Sequence, residues 1–206
     1  MTGLIDGLME QLGSSGTSQL AGVLGADENA MGGLISAALP AILGGLAKNA
    51  EQADGASSLA SALDDHDDSI FGNLGSLLGG GGPGDAILGH VLGQKRPQVE
   101  QQVAGNAGVD LSMITKLLPL LAPLVMGYLS KQKKTNNLDE AGLGAMLNNE
   151  RKAVEAKQPG LGGLASILDA DGDGSVLDDV MNMATGGGGG SSKGGLGGLL
   201  GKLLRR

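Results

Sequence analysis

Residues 19–27 read Gln19-Leu20-Ala21-Gly22-Val23-Leu24-Gly25-Ala26-Asp27, and the same punctuation returns as Gln102-Val103-Ala104-Gly105-Asn106-Ala107-Gly108-Val109-Asp110. A shift of 83 residues relates the two. Glycine at the end of a helical stretch can turn left-handed without the steric penalty of a Cβ, so it stops the helix. An Asp two residues later can accept hydrogen bonds from the free N–H groups that open the next helix. Each stretch therefore predicts a helix, a Gly-Asp turn and a second helix.

Extended outward, the shift lays residues 3–48 on residues 86–131 without a gap and with eleven identities. Gln11, Leu34, Pro40, Gly44, Leu46 and Lys48 meet Gln94, Leu117, Pro123, Gly127, Leu129 and Lys131. Leu and Gly alone could match by composition here, but Gly, Asp and Pro recurring at fixed spacing point to duplication. Pro40 and Pro123 fall inside apolar runs, where a missing N–H bends a helix or splits it in two. After a spacer the match resumes at another offset, Leu59-Ala60-Ser61-Ala62-Leu63-Asp64 returning as Leu164-Ala165-Ser166-Ile167-Leu168-Asp169. The longer second spacer predicts an extra helix over residues 138–157, with Leu143, Met146, Leu147 and Val154 along one face, ended by Pro159 and Gly160. Gly runs close both copies, at residues 79–82 and 186–190. The expected organisation is all-α: a first helical repeat over 1–82, a second over 83–185, and a Gly-rich linker with a disordered tail over 186–206.

Ala38-Leu39-Pro40-Ala41-Ile42-Leu43-Gly44-Gly45-Leu46-Ala47, Gly89-His90-Val91-Leu92-Gly93, Leu117-Leu118-Pro119-Leu120-Leu121-Ala122-Pro123 and the acidic turn at Asp169 resemble the YidB-like family of bacterial proteins, which carry a domain of unknown function. The resemblance runs from about residue 3 to about residue 185. It implies a small all-helical fold with a homeodomain-like arrangement and no established activity. A homeodomain-like unit would suggest DNA, yet the chain lacks a basic recognition helix with Asn and Arg set to read bases.

Composition narrows the function classes. The net charge is −8, with one Phe, one Tyr and no Trp, so the chain lacks both the basic clusters that hold phosphates and the aromatic platforms on which bases stack. Nucleic acid is not the expected partner. No Cys is present, which removes disulfides, thiolate nucleophiles and Cys-type zinc sites. Residues 1–13 carry Asp6 and Glu10 and no basic leader, so a cytoplasmic location is expected. The most apolar uncharged stretches, 30–47 and 117–129, are at or below bilayer-spanning length and hold Pro, which favours core helices. That core must be aliphatic, built from Leu, Ile, Val, Ala and eight Met, with forty Gly leaving many positions bare.

One segment carries site chemistry: Asp169-Ala170-Asp171-Gly172-Asp173-Gly174-Ser175-Val176. A hard cation takes six to eight oxygens, and carboxylates at loop positions one, three and five with Gly at six supply them in one turn. Asp169, Asp171, Asp173 and Gly174 fill those places, and the Ser175 carbonyl falls at position seven. Position twelve, where an EF-hand has Glu, is Val180, so closure falls to Asp178 or Asp179 as in shortened loops. The competing reading is an acid run that caps a helix, but a cap needs one carboxylate and here five lie within eleven residues. Calcium is the expected ion. In the first copy Asp64, His66 and Asp68 occupy the corresponding places, Ser69 replaces the bend glycine, and a solvated polar turn is expected.

Neither a hydrolytic triad nor a phosphate loop is present in the sequence. His90, alone on an apolar segment, reads as a helix-surface or core residue. The tail over 195–206 carries Lys202, Arg205 and Arg206 among Leu and Gly and could touch an anionic membrane weakly. The expected protein is a non-enzymatic helical binding or scaffold protein holding one calcium ion, with a protein partner or self-association. A membrane-surface or self-assembling protein is the alternative, and DNA binding by the homeodomain-like unit is the third reading.

Overall fold

Gly25 and Gly108 both take left-handed backbone, with φ of 65° and 66°, and each closes a helix by donating its N–H to a carbonyl of the preceding turn. Two residues on, Asp27 accepts from the N–H groups of Asn29 (2.9 Å) and Ala30 (3.3 Å), and Asp110 accepts from that of Ser112 (2.8 Å). The two sequence-matched turns thus share one local structure. This computed structural model describes residues 3–65, 68–72, 74–75 and 82–157.

Those residues form α1 (Leu4–Leu24), α2 (Glu28–Glu51), α3 (Ala53–Asp64), a 3-10 turn (Asp68–Gly72), α4 (Gly84–Leu92), a second 3-10 turn (Gly93–Lys95), α5 (Arg96–Ala107), α6 (Leu111–Thr135) and α7 (Glu140–Lys157). The fold is all-α, with no strand among the described residues. The helix expected over 138–157 is α7, and Leu143 and Leu147 are buried with Met146 and Val154 packed beside them.

Helices α2 and α6 form the centre. Each has an unbroken buried run, residues 38–47 in α2 and 121–130 in α6, and the 83-residue shift superposes these runs end to end. A helix apolar all round must be surrounded, and here α1, α3, α4, α5 and α7 pack against α2. Both central helices are long and apolar enough to cross a membrane by length and composition, and the larger part of each is buried. The core is aliphatic as expected, Tyr128 being the one aromatic residue among its fully packed members.

One expectation is narrowed and another corrected. The prolines, expected to bend or split the central helices, do not split them: α2 runs through Pro40, and α6 through Pro119 and Pro123. Each Pro removes one N–H, which leaves one carbonyl free four residues earlier. In α6 Pro123 frees the carbonyl of Pro119, and Gly84 of α4 lies so close that a Cβ there would overlap that oxygen. The hydrogen that Gly84 carries in place of a Cβ points at the freed carbonyl, a weak C–H···O contact in the missing partner's place.

The gapless shift also fails at the start of each copy. It pairs Gly13 with Arg96. The glycines that break the two helices are Gly13 (φ 63°), inside α1, and Gly93 (φ 52°), after α4, eighty residues apart. Ahead of the break the register is therefore eighty residues, and buried Leu8 and Leu12 correspond to buried Leu88 and Leu92. The three-residue turn Gly93–Lys95 makes up the difference.

The helices of the two sequence-matched segments interlock. The described residues fall within one compact unit, in which α1 packs on α6 and α4 on α2. At matched positions 45 and 128 the contact is made in opposite senses. Gly45 of α2 admits Val91 of α4, whose Cγ1 would stand 2.7 Å from a Cβ, while at Tyr128 of α6 the glycine is Gly7 on α1. An ion-pair network around buried Glu100 ties α4, α5 and α6, with part-buried Arg96 bonding exposed Asp85 (2.8 Å) and Glu100 (2.7 Å) and Thr115 donating to Glu100 (3.3 Å). Burial works against the Arg96 charge, but the hydrogen bonds and charges of Glu100 and Asp85 outweigh it and hold its pKa above the ordinary value.

Candidate functional site

Asp169, Asp171, Asp173, Ser175, Asp178 and Asp179 lie outside the described residues, as does the tail over 195–206. Of the corresponding first-copy residues, Asp64 ends α3 and pairs with Lys133 of α6 at 2.7 Å. Lys133 also donates to the carbonyl of Ala60 (2.9 Å), so it caps the C-terminus of α3, where a cation is favoured by the helix dipole. Asp64 serves that helix end, and His66 lies outside the described residues. Among the described residues no group of three or more His, Cys, Asp or Glu is placed to hold a metal ion.

A large concavity brings together residues that no sequence signal connects. It is an open groove of about 1340 Å³ walled by α1, α6 and α7. Tyr128 and Gln132 form its floor, Glu10 and Gln11 one side, and Asn149 and Glu150 the other. Gln11 accepts from Lys131 Nζ at 2.7 Å across the α1–α6 contact. Glu150 accepts from the backbone N–H of Ile5 at 3.2 Å, so α7 caps the first turn of α1. The walls are fixed to one another by these two bonds.

Burial pushes the Tyr128 phenol above its ordinary pKa, the Gln132 hydrogen bond opposes that, and the carboxylates of Glu10 and Glu150 add to it. A neutral phenol, two carboxylates, two ammonium groups and four side-chain amides thus line one space. The arrangement offers donors and acceptors in quantity but pairs no nucleophile with a base. It suits recognition of a polar surface.

The lone tyrosine was the one hint available beforehand, because a single phenol in an aliphatic chain has to be placed where its hydroxyl is satisfied. His90 is exposed, on the outer surface of α4. It borders a second, smaller cleft.

No curated protein and no solved structure matches the chain. The profile of the bacterial proteins of unknown function DUF937 matches residues 6–132, from α1 to the last turn of α6, and leaves α7 and the acidic turn beyond it. That span covers both Gly-Asp turns and both central helices, so the chain belongs to the DUF937 family of bacterial proteins of unknown function.

Proposed function

We propose that this is a non-enzymatic helical binding scaffold that holds a polypeptide segment in the groove between α1, α6 and α7. The observation that carries the reading is the groove itself, lined by Tyr128, Gln132, Glu10, Gln11, Asn149 and Glu150. Mixed charges and amides around one buried phenol suit a hydrated peptide better than a lipid or a nucleic acid. Crosslinking tests it: a photoreactive side chain at Asn149, in the groove, should capture one discrete partner or a second copy, and Glu10→Lys should abolish the product. Equal capture from exposed Asn106 on α5, or indifference to Glu10→Lys, would overturn it.

A second reading concerns calcium, and what supports it is the spacing of Asp169, Asp171, Asp173 and Gly174 with Ser175 and either Asp178 or Asp179. The ion would order the chain after α7 and so regulate or brace the scaffold. Calorimetric titration of the full chain with calcium chloride should give one site, lost in Asp171→Ala. Absence of heat in the wild type would remove calcium from the account and leave the groove reading intact.

A further inference from the structure

The groove has a counterpart. α1 lines the groove with Gly3, Gly7, Glu10 and Gln11, and eighty residues on α4 lines a second cleft with Pro83, Ile87, His90 and Val91. At the far wall Gln132 of α6 lines the groove, and Asn49 of α2, its partner in the 83-residue shift, lines the cleft. α7 closes the first and α3 the second. The two hollows occupy matched places in the two copies, yet their chemistry has diverged.

The cleft measures about 500 Å³, with buried Leu46, Leu59, Val91 and Met126 as its floor. Asn49 braces it, donating from Nδ2 to the carbonyls of His90 (3.0 Å) and Val91 (3.5 Å) at the end of α4. Exposed Gln52, Ser58 and His90 stand at the rim. Among the described residues that line it none is Asp, Glu, Lys or Arg, whereas Glu10, Lys131, Glu150 and Lys157 line the groove. A charge buried against such a floor would lack a counter-charge and be strongly disfavoured, so the buried part of any occupant is neutral. The volume lies in the range of small-molecule sites and equals little more than about one turn of an α-helix with its side chains. It does not accommodate a partner helix.

We infer that this cleft binds a small neutral amphiphile, its aliphatic or aromatic body on Leu46, Leu59, Ile87 and Met126 and a hydroxyl or carbonyl head among Gln52, Ser58 and His90. The site stands independently of the polypeptide groove. Nile red, a neutral fluorophore that brightens in apolar surroundings, is the probe, added to the full-length protein. Its fluorescence should rise saturably and be displaced by decanol, with decanoate and decyltrimethylammonium at least roughly tenfold weaker, as a penalty of about 1.4 kcal/mol on the charged head requires. In protein labelled at its methionine methyl groups, decanol should shift the resonance of Met126, identified by its loss in Met126→Leu, and leave that of Met146 in the groove unmoved. Ala86→Trp, at the exposed rim, should weaken Nile red roughly tenfold or more, and Ala145→Trp, in the groove, should not. Failure to saturate, equal displacement by all three head groups, or an unmoved Met126 resonance in the wild type would overturn the inference.

Discussion

The hydroxyl of Tyr128 on α6 stands where a side chain on Gly7 of α1 would begin. This contact joins the first helix of the N-terminal copy to the central helix of the other, and it sets how deeply α1 can seat. Gly7→Ala should therefore destabilise the protein by about 1–3 kcal/mol, the range for overpacking a filled site, as read by urea denaturation. Tyr128→Phe in that background should recover part of the loss, since it removes the atom closest to the new methyl. Simple additivity of the two changes in a double-mutant cycle would show that the contact is not the cause.

Gly84→Ala should be costlier than Gly7→Ala. Its methyl meets the backbone carbonyl of Pro119, which has no rotamer to escape into, so α4 must move off α6. Tyr128→Phe should give no recovery here. Thermal melts of the four variants separate the two glycines.

Arg96→Ala should lower stability by about 1.5–3 kcal/mol, the scale for a charge-assisted hydrogen bond lost to a buried carboxylate. Glu100 is only 7% exposed, and it would keep the Thr115 hydroxyl but lose the guanidinium. The double change Arg96→Met with Glu100→Met should recover most of the loss, because both charges then leave the interior together. A double variant no better than Arg96→Ala would count against this account.

The pH dependence should have two limbs of opposite sign. The folded chain holds the Tyr128 proton more tightly than the unfolded chain, so this contribution is complete below the ordinary phenol value of about 10 and falls away as pH rises through the raised folded value. Tyr128→Phe should flatten that alkaline limb. Asp110 behaves in reverse: hydrogen bonds from the Ser112 hydroxyl and backbone N–H hold its carboxyl low, so its contribution is present above about pH 3.9 and is lost as pH falls through the folded value. Asp110→Asn should flatten the acid limb, and urea midpoints measured across pH check both.

The Gly-Asp turns, the central helices and α7 were all legible in the sequence, because glycine stops, Asp caps and apolar periodicity are local signals. Gly25, Gly108, Asp27 and Asp110 do what their types dictate within a few residues. The break at Gly93 was hidden because a gapless match absorbs a three-residue turn without comment. Neither hollow could be read, since each takes residues from helices far apart in the chain. Gly7 and Tyr128 meet only because the copies interlock, and no periodicity within either copy encodes that. The acidic turn was the most legible chemistry, and it lies outside the described residues.

The hydrogen bond from Ile5 to Glu150 closes a loop of 145 residues. On a ribosome working from the N-terminus, α1 and α2 emerge while the helices that cover them are still being translated. Leu8, Leu12 and the buried run of α2 must stay exposed until α6 and α7 arrive, so native docking comes late, and contacts this distant in sequence slow the search. Deleting α7 should accordingly yield a chain held by chaperones during synthesis instead of a smaller folded protein.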